Sequence, residues 1–390
     1  SGGMFAASAL RRAAARRPIH LATSADQCCA AVERILSAGH SSIGVDCEGE
    51  RLGRFGRLSL VQIATEREVF LIDVGIGGRK MVEPLSLLLS SPEPVKVFHD
   101  CREDASVLLN QYSIVLNSVF DTQVAHAVWL ERQNLEPYQA NVAEVLRTFC
   151  LSAYKEHRWN ELERRPMMPQ QWRQRPLDPQ AVRYAVEGVA HLVSLQRAIC
   201  RQLGDPSGDL VLRRSVRYVE YAQMNRAELP TADVSILRPG LHLEAMLAAR
   251  RPDSAYFKLN HGLLTGAVLE AVDLRDFEDV QLGDVVRCRA KSVSECRQFV
   301  HLQREGHGRL FFDRKLQEMR TLPSREEVDA QHPSRQSSLY GLGKSLGRGA
   351  AIQEEPSTYK EQKPEVIYKA GKRGQIKVRR SGFRPAQRQS

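Results

Sequence analysis

The chain lacks any C-x-x-C pair, and the spacing of its eight cysteines does not repeat (28, 29, 47, 101, 150, 200, 288 and 296). This excludes a zinc ribbon and a disulfide framework and favours reduced, buried thiols in an intracellular compartment. No window approaches 18 uninterrupted apolar residues, so no membrane-spanning helix is expected. Aromatic residues make up only 6%, but hydrophobic residues reach 42% of the 390 residues, which excludes a wholly disordered chain.

Acidic residues are missing from both ends of the chain, and this produces most of its net charge of +10. The first 25 residues contain four arginines and no acid, so the middle of the chain is close to neutral. From residue 369 onward there are eight uncompensated cations, which are candidate RNA phosphate contacts: Lys369, Lys372, Arg373, Lys377, Arg379, Arg380, Arg384 and Arg388. Two interpretations remain open for this tail, a solvated linker or an arm ordered against phosphate.

The N-terminal segment M-F-A-A-S-A-L-R-R-A-A-A-R-R-P-I-H-L-A-T-S is rich in Arg and Ala, contains no acid and can form an amphipathic helix. This composition is typical of a mitochondrial transit peptide and predicts a location in the mitochondrial matrix. The alternative is a disordered basic leader that touches RNA or nothing.

The order of predicted elements indicates an α/β architecture followed by a small β-barrel. Strands are predicted over 42–46, 58–64, 69–74 and 95–99, and helical signals dominate from 103 to 203. Five short strands with glycine-containing turns follow and resemble an S1-type or OB-like barrel. The predicted divisions are a leader (1–24), an α/β domain (25–203), a helical linker (204–230), the barrel (231–310) and an extended basic tail (311–390).

Four barrel residues are candidates for stacking on bases: Tyr256, Phe257, Phe299 and His301. The alternative is that the apolar ones among them are alternating core residues of the strands.

The strongest local pattern is I-G-V-D-C-E-G-E, which places Asp46 and Glu48 two residues apart on a strand. They therefore point to the same face, where two carboxylates are costly unless a cation lies between them. A second pattern, K-V-F-H-D-C-R-E-D-A-S-V-L-L, places Asp100, Glu103 and Asp104 where a strand ends and a helix begins. Helix capping and dipole compensation offer a structural explanation for Asp100 and Glu103.

These motifs, with L-S-L-V-Q-I-A, V-F-D-T-Q-V-A and R-P-L-D-P-Q-A-V-R-Y-A-V-E, resemble the DEDDy 3′–5′ exonucleases of the ribonuclease D type, and most nearly the branch with Egalitarian-like exonuclease-domain proteins. The resemblance covers about residues 25–203 and implies an RNase H-like fold, a mixed sheet flanked by helices. It also implies a two-metal site for Mg²⁺ or Mn²⁺ that attacks the terminal phosphodiester. In that pattern Asp46, Glu48 and Asp104 match metal-binding carboxylates, and Tyr184 matches the residue that positions the attacking water.

The third motif departs from the family pattern. The fourth carboxylate is expected four residues after Tyr184, where this chain has Gly188, which has no side chain to bind a metal. Glu187 lies next to that position, but it is about 100° around the helix and Mg²⁺ demands close octahedral geometry. We therefore expect Glu187 to be a solvated helix residue and the site to be a degenerate one.

The sequence thus predicts a mitochondrial RNA-binding protein with an inactive exonuclease-like domain. Its expected partners are RNA, ribosomal or otherwise structured, and proteins of a ribonucleoprotein complex such as the mitochondrial ribosome or its assembly intermediate. One alternative is an active exoribonuclease that uses Mg²⁺ or Mn²⁺ and in which Glu187, water or a substrate oxygen substitutes for the missing carboxylate. It is suggested by the three acids of the four, and the tyrosine, that are present. Another is a protein–protein adaptor without RNA contact.

Overall fold

The computed structural model describes residues 17–150, 169–224, 237–260, 265–268, 271–295, 299–308, 310, 370–371 and 375–376. Within these ranges no helix is both long and apolar enough to cross a bilayer. The seven cysteines in them form no disulfide with one another, and five are buried. The expected leader before residue 17 and all eight C-terminal cations lie outside the described residues.

A six-stranded mixed sheet forms the centre of the first part of the chain. Its strands are β1 (Ile19–Ala22), β2 (Ser42–Glu50), β3 (Arg57–Ala64), β4 (Val69–Ile72), β5 (Val95–Phe98) and β6 (Val119–Asp121). They lie in the order β1-β4-β3-β2-β5-β6. Strand β3 is antiparallel to β2 and β4, whereas β2, β5 and β6 are parallel. Strand β2, which contains Asp46 and Glu48, is therefore central.

Helices cover this sheet, and both faces of β4 are buried as a result. They are α1 (Ala25–Ser37), α2 (Val74–Gly77), α3 (Arg79–Val82), α4 (Ser86–Leu89), α5 (Arg102–Tyr112), α6 (Thr122–Arg132), α7 (Val142–Phe149), α8 (Pro179–Val189), α9 (Leu192–Leu203) and α10 (Asp209–Met224). Single 3-10 turns occur at Glu83–Leu85 and Pro169–Trp172. The architecture is the RNase H-like fold that the resemblance implies, a mixed sheet flanked by helices.

The folded part begins earlier than the expected leader boundary at residue 24. Strand β1 pairs in parallel with β4, with Ile19 opposite Val69 and Ala22 opposite Ile72. Arg17 donates hydrogen bonds to the carbonyl oxygens of Thr65 and Ala190. Residues 17–22 are therefore part of the folded unit, which the expected leader boundary at residue 24 would divide.

The expected helical linker, 204–230, is also different in the structure where it is described. Helix α10 contacts α5 and β6, and its side chains Val211, Tyr218 and Ala222 are buried in the same core as the sheet. This segment is thus a structural helix of the α/β unit. Residues 225–230 lie outside the described residues.

Five further strands close into a barrel in the order β10-β11-β9-β8-β7. They are β7 (His242–Arg251), β8 (Ser254–Leu259), β9 (Thr265–Val268), β10 (Val285–Val293) and β11 (Phe299–His307), with α11 (Ala271–Arg275) between β9 and β10. Strands β9 and β11 are parallel, and the other described pairs are antiparallel. Near the C-terminus, β12 (Ala370–Gly371) pairs with β13 (Gln375–Ile376) as a unit of its own.

Candidate functional site

Asp46 and Glu48 lie on the central strand β2 and point to the same face of the sheet. Asp46 is half-buried and Glu48 is 3% exposed. Gly44 precedes them on this face, and a Cβ atom there would lie 2.8 Å from the carbonyl oxygen of Val189 at the end of α8. The face with the two acids is therefore the face that α8 covers.

Asp104 reaches the same strand from the first turn of α5. It is 5% exposed, and its Oδ1 accepts a hydrogen bond from the backbone N–H of Cys47 at 3.0 Å. Because Cys47 lies between Asp46 and Glu48, the three sequence-predicted acids are brought together around one short piece of β2.

The electrostatics of the group confirm this proximity. Burial raises the pKa of Asp104 well above its usual range, and the negative charges of Asp46, Asp100 and Glu48 raise it further. Burial raises the pKa of the Cys47 thiol, and the negative charges of Asp104, Asp46 and Glu48 raise it further. Carboxylates in such a field favour a proton or a cation among them.

Helix α8 contains the positions of the degenerate third motif. Tyr184 is half-buried and packs edge-on against Trp172, with ring centroids 6.1 Å apart. The Glu187 carboxylate accepts a hydrogen bond at 2.8 Å from Nε of Arg183, one turn earlier on the same helix. Glu187 is half-buried, so the expectation of a solvated residue holds only in part. Its carboxylate is bound by Arg183 of the same helix.

The donor set does not fit the two-metal site that the resemblance implies. Gly188 offers no side-chain oxygen, Glu187 is paired with Arg183, and one oxygen of Asp104 is bound by Cys47. Across the part of the chain that the structure describes, no three His, Cys, Asp or Glu side chains are arranged to hold a metal ion.

Asp100 and Glu103 belong to ion pairs and not to the acidic group. Arg102, fully buried, binds both oxygens of Asp100, at 2.5 and 2.8 Å. Burial opposes ionisation of Asp100, but the Arg102 guanidinium holds its pKa well below the usual range. Glu103 pairs with Lys258 of β8 and accepts a hydrogen bond from the Tyr221 hydroxyl. Neither acid caps α5, whose N-cap residue makes no side-chain hydrogen bond.

Sequence reasoning missed two features beside the acids. Gln62 lies directly opposite Asp46 in the β2–β3 register, is fully buried, and neither of its amide atoms has a partner among the described residues. Three arginines follow β2: Arg51 and Arg54 in the loop that joins it to β3, and Arg57 as the first residue of β3. Their spacing of three residues in R-L-G-R-F-G-R was a signal that could have identified the loop.

The barrel aromatics fall into two groups. Phe257 is fully buried in the barrel core, so it is not a stacking platform. Tyr256, Phe299 and His301 are half-exposed. Tyr256 and His301 lie in one row across three strands, because both are register partners of Ala267.

A mixed sheet with acids grouped along its central strand is the arrangement expected of an RNase H-like domain of exonuclease type. Residues 19–204 match the family model described as 3′–5′ exonuclease. The piRNA biogenesis protein EXD1 of Xenopus laevis is 31% identical over 164 residues, 40% of this chain and 37% of the relative. Ribonuclease D of Gluconacetobacter diazotrophicus is 30% identical over 183 residues, 47% of this chain and 42% of the relative.

A solved structure of Trypanosoma brucei RNase D in complex with RNA U12 is 25% identical, with a TM-score of 0.45 over 55% of this chain and 74% of that one. Residues 19–204 of this chain are therefore similar to 3′–5′ exonuclease domains, with ribonuclease D and EXD1 proteins among the relatives they match. The chain spans less than half the length of these two curated relatives.

Proposed function

We propose that this protein binds RNA through an exonuclease-type domain that does not cleave it, within a mitochondrial ribonucleoprotein assembly such as the mitochondrial ribosome or its assembly intermediate. The observation that carries the proposal is the acidic group itself. Asp46, Glu48 and Asp104 meet on β2, but position 188 supplies no fourth carboxylate and Glu187 is bound to Arg183. A site that needs two closely spaced cations loses one ligand by this change.

The choice of RNA as the ligand follows from the family. The matching relatives include ribonucleases D and piRNA biogenesis proteins. A domain that keeps the fold of a nuclease but lacks one of its metal ligands retains the cleft in which the nuclease binds the end of an RNA strand. The basic ends of the chain add phosphate contacts in this proposal.

The barrel supports the same ligand as an OB-like module. Its third and fifth strands, β9 and β11, are parallel, and a short helix lies between the third and fourth strands. Tyr256 and His301 share a row on its outer side, and the Arg251 guanidinium carbon lies 5.9 Å from the centroid of the Tyr256 ring. Aromatic rings beside a cation are typical of single-strand binding surfaces.

The mitochondrial location is proposed from the composition of the N-terminal segment. Because Arg17 and β1 are parts of the folded unit, the proposed leader ends before residue 17. Import of the full chain, followed by determination of the mature N-terminus, tests this boundary. A mature protein that begins after residue 24 would contradict it.

A second candidate is an active exoribonuclease that uses Mg²⁺ or Mn²⁺. The observation in its favour is that three of the four family carboxylates lie together. Asp46 and Glu48 are close enough to Asp104 to raise its pKa. Such an enzyme would need Asp46, Glu48 and Asp104 to hold a metal that supplies charge for phosphodiester cleavage, although these described side chains are not arranged to hold one.

A 5′-labelled single-stranded RNA incubated with Mg²⁺ or Mn²⁺ separates the two candidates. We expect the unmodified chain and Asp46→Asn to bind the RNA without shortening it, and Gly188→Asp to gain stepwise shortening from the 3′ end. Shortening by the unmodified chain that Asp46→Asn abolishes would establish the exoribonuclease instead. The double variant Asp46→Asn/Gly188→Asp controls for a contaminating nuclease, because it should remain inactive.

A further inference from the structure

Three arginines and a phenylalanine lie in the segment that follows the acidic strand and ends at Arg57, the first residue of β3. This segment, residues 51–57 (R-L-G-R-F-G-R), is called the arginine loop below. Arg57 is exposed, whereas Arg51, Arg54 and Phe55 are half-buried. Arg57 pairs in register with Glu50, which is only two residues beyond Glu48 of the acidic group. The loop therefore begins beside the candidate site.

The backbone of the arginine loop is fixed against helix α5. The Gln111 side-chain amide donates to the carbonyl oxygens of Gly53, Arg54 and Gly56, at 3.2, 3.3 and 2.6 Å. A Cβ atom at Gly56 would lie 1.7 Å from the carbonyl oxygen of Arg51, and one at Gly53 would lie 2.6 Å from Oε2 of Glu103. Only glycine permits this close path, so the arginines are presented by a preorganised backbone.

Further cations converge on the end of α5. Burial raises the pKa of the Tyr112 phenol, but the nearby charges of Arg79 and Arg57 oppose that rise. Arg79 also donates to the carbonyl oxygen of Gln111 at 2.8 Å. The guanidinium carbon of Arg54 lies 4.8 Å from the centroid of the Phe55 ring. The arginine loop and Arg79 thus form a cationic surface with an aromatic ring in it.

Two of the acids near this surface are paired with cations outside it. Glu50 pairs with Arg173 and Glu103 pairs with Lys258, whereas Glu83 lies 3.6 Å from Arg79 of the surface itself. Glu50 and Glu103 therefore have cation partners outside the arginine loop. Gln111 is seven residues beyond Asp104 on α5, a distance of about 10 Å along the helix axis.

We propose that the arginine loop is a phosphate-binding surface for single-stranded RNA that holds the strand next to the acidic group. This inference rests on the proposed RNA-binding function and names the surface that performs it. Guanidinium groups bind phosphate oxygens in pairs, and a cation-flanked aromatic ring stacks on a base of any sequence. The loop accordingly favours backbone and stacking contacts over recognition of particular bases.

Binding of a short fluorescent single-stranded RNA to the full chain, measured by anisotropy over a series of salt concentrations, tests the proposal. Each phosphate contact contributes about 0.7 to the slope of log affinity against log salt for single strands, so Arg54→Gln/Arg57→Gln should reduce the slope by about 1.4. Arg54→Lys/Arg57→Lys should retain most of the slope. Gln111→Leu keeps every charge and should weaken binding several-fold, because the loop loses its anchor.

The matched control is Arg147→Gln/Arg201→Gln, which removes two exposed arginines from α7 and α9 and should leave the slope unchanged. Thermal unfolding of every variant verifies that it is folded. If the unmodified chain shows no salt-dependent binding, the proposed function fails. If it binds but the Arg54/Arg57 variant keeps its slope, or loses no more than the control variant does, only the arginine-loop proposal is overturned.

Discussion

His126 is a buried histidine, 1% exposed, whose ring lies among three aromatic side chains. It stacks on Trp129 at 6.0 Å and meets the edges of Tyr138 and Phe149 at 5.3 and 6.3 Å. Its Nδ1 has no hydrogen-bond partner among the described residues. Burial, with a smaller contribution from the charge of His99, lowers its pKa to about 4. The native state therefore requires the neutral ring.

This gives a prediction for stability against pH. Between pH 6.5 and about 4 the unfolded chain binds a proton at residue 126 that the native chain does not. Residue 126 therefore does not reduce the free energy of unfolding above pH 6.5. As the pH falls from 6.5 to about 4, it lowers that free energy by about 3 kcal/mol. Urea unfolding of the unmodified chain and of His126→Phe should show a shallower pH dependence in the variant. Equal dependence in both proteins would show that His126 is not responsible.

The residues of the candidate site differ in how far the sequence alone could predict their contacts. Asp46 and Glu48 were predictable as a pair because side chains alternate along a strand. The convergence of Asp104 on them followed from the family resemblance and not from spacing, since the bond to Cys47 joins residues 57 positions apart. The partner of Glu103 was out of reach for the same reason, because Lys258 is 155 positions away on the barrel.

Helix α8 packs closely on β2 because β2 has a glycine, Gly44, at the point of contact. A Cβ atom at Gly44 would lie 2.8 Å from the carbonyl oxygen of Val189 and 3.1 Å from Cβ of Leu192. Neither atom is at the end of a flexible side chain, so α8 and α9 would have to move outward from the acidic strand.

We therefore expect Gly44→Ala to destabilise the fold by about 1–3 kcal/mol, the usual cost of overpacking. Urea or thermal unfolding measures this change. The matched control is Gly306→Ala, since a Cβ atom there would meet only the end of the Arg287 side chain, at 3.3 Å. A loss of stability at residue 44 no larger than at residue 306 would show that the helix can shift without cost.

The lengths of the strands and helices explain which of them could not be predicted from the sequence. Strands β3 to β5 were predicted because apolar residues dominate them, and the first half of β2 was predicted from Ile43 and Val45. Strand β1 has four residues within the leader-like composition, and β6 has three residues between helices, too few for a periodic signal. The helical signal that runs to residue 203 is interrupted between Val189 and Leu192, where the chain passes close to Gly44.

Helix α10 joins the exonuclease-like part of the molecule to the barrel. One side of α10 contributes Tyr218 to the exonuclease core, and another packs Tyr221 and Met224 against Met246 and Val285 of the barrel. Charged pairs reinforce the contact. Arg217 of α10 pairs with Asp284, which is fully buried, and Lys258 of the barrel pairs with Glu103. The arrangement favours a barrel that is held against the exonuclease domain, close to its acidic group.

This arrangement predicts that the two parts unfold together. Two of the three tryptophans, Trp129 and Trp172, lie in the exonuclease-like part, and Trp159 lies outside the described residues. The fluorescence of Trp129 and Trp172 follows that part, whereas far-ultraviolet circular dichroism follows both. The two denaturant transitions should coincide in the unmodified chain. In Arg217→Met the buried Asp284 loses its cation, a change that typically costs about 3–5 kcal/mol. The barrel should then unfold first, so the circular dichroism transition should begin before the fluorescence transition.

The double variant Arg217→Met/Asp284→Asn separates a lost contact from an unpaired buried charge. Replacing both partners leaves no uncompensated carboxylate, so much of the lost stability should return and the two transitions should move together again. Persistent separation would show that the ion pair itself holds the barrel in place. Coincident transitions in Arg217→Met would instead mean that the apolar packing around Tyr221 and Met246 couples the two parts without help from the charges.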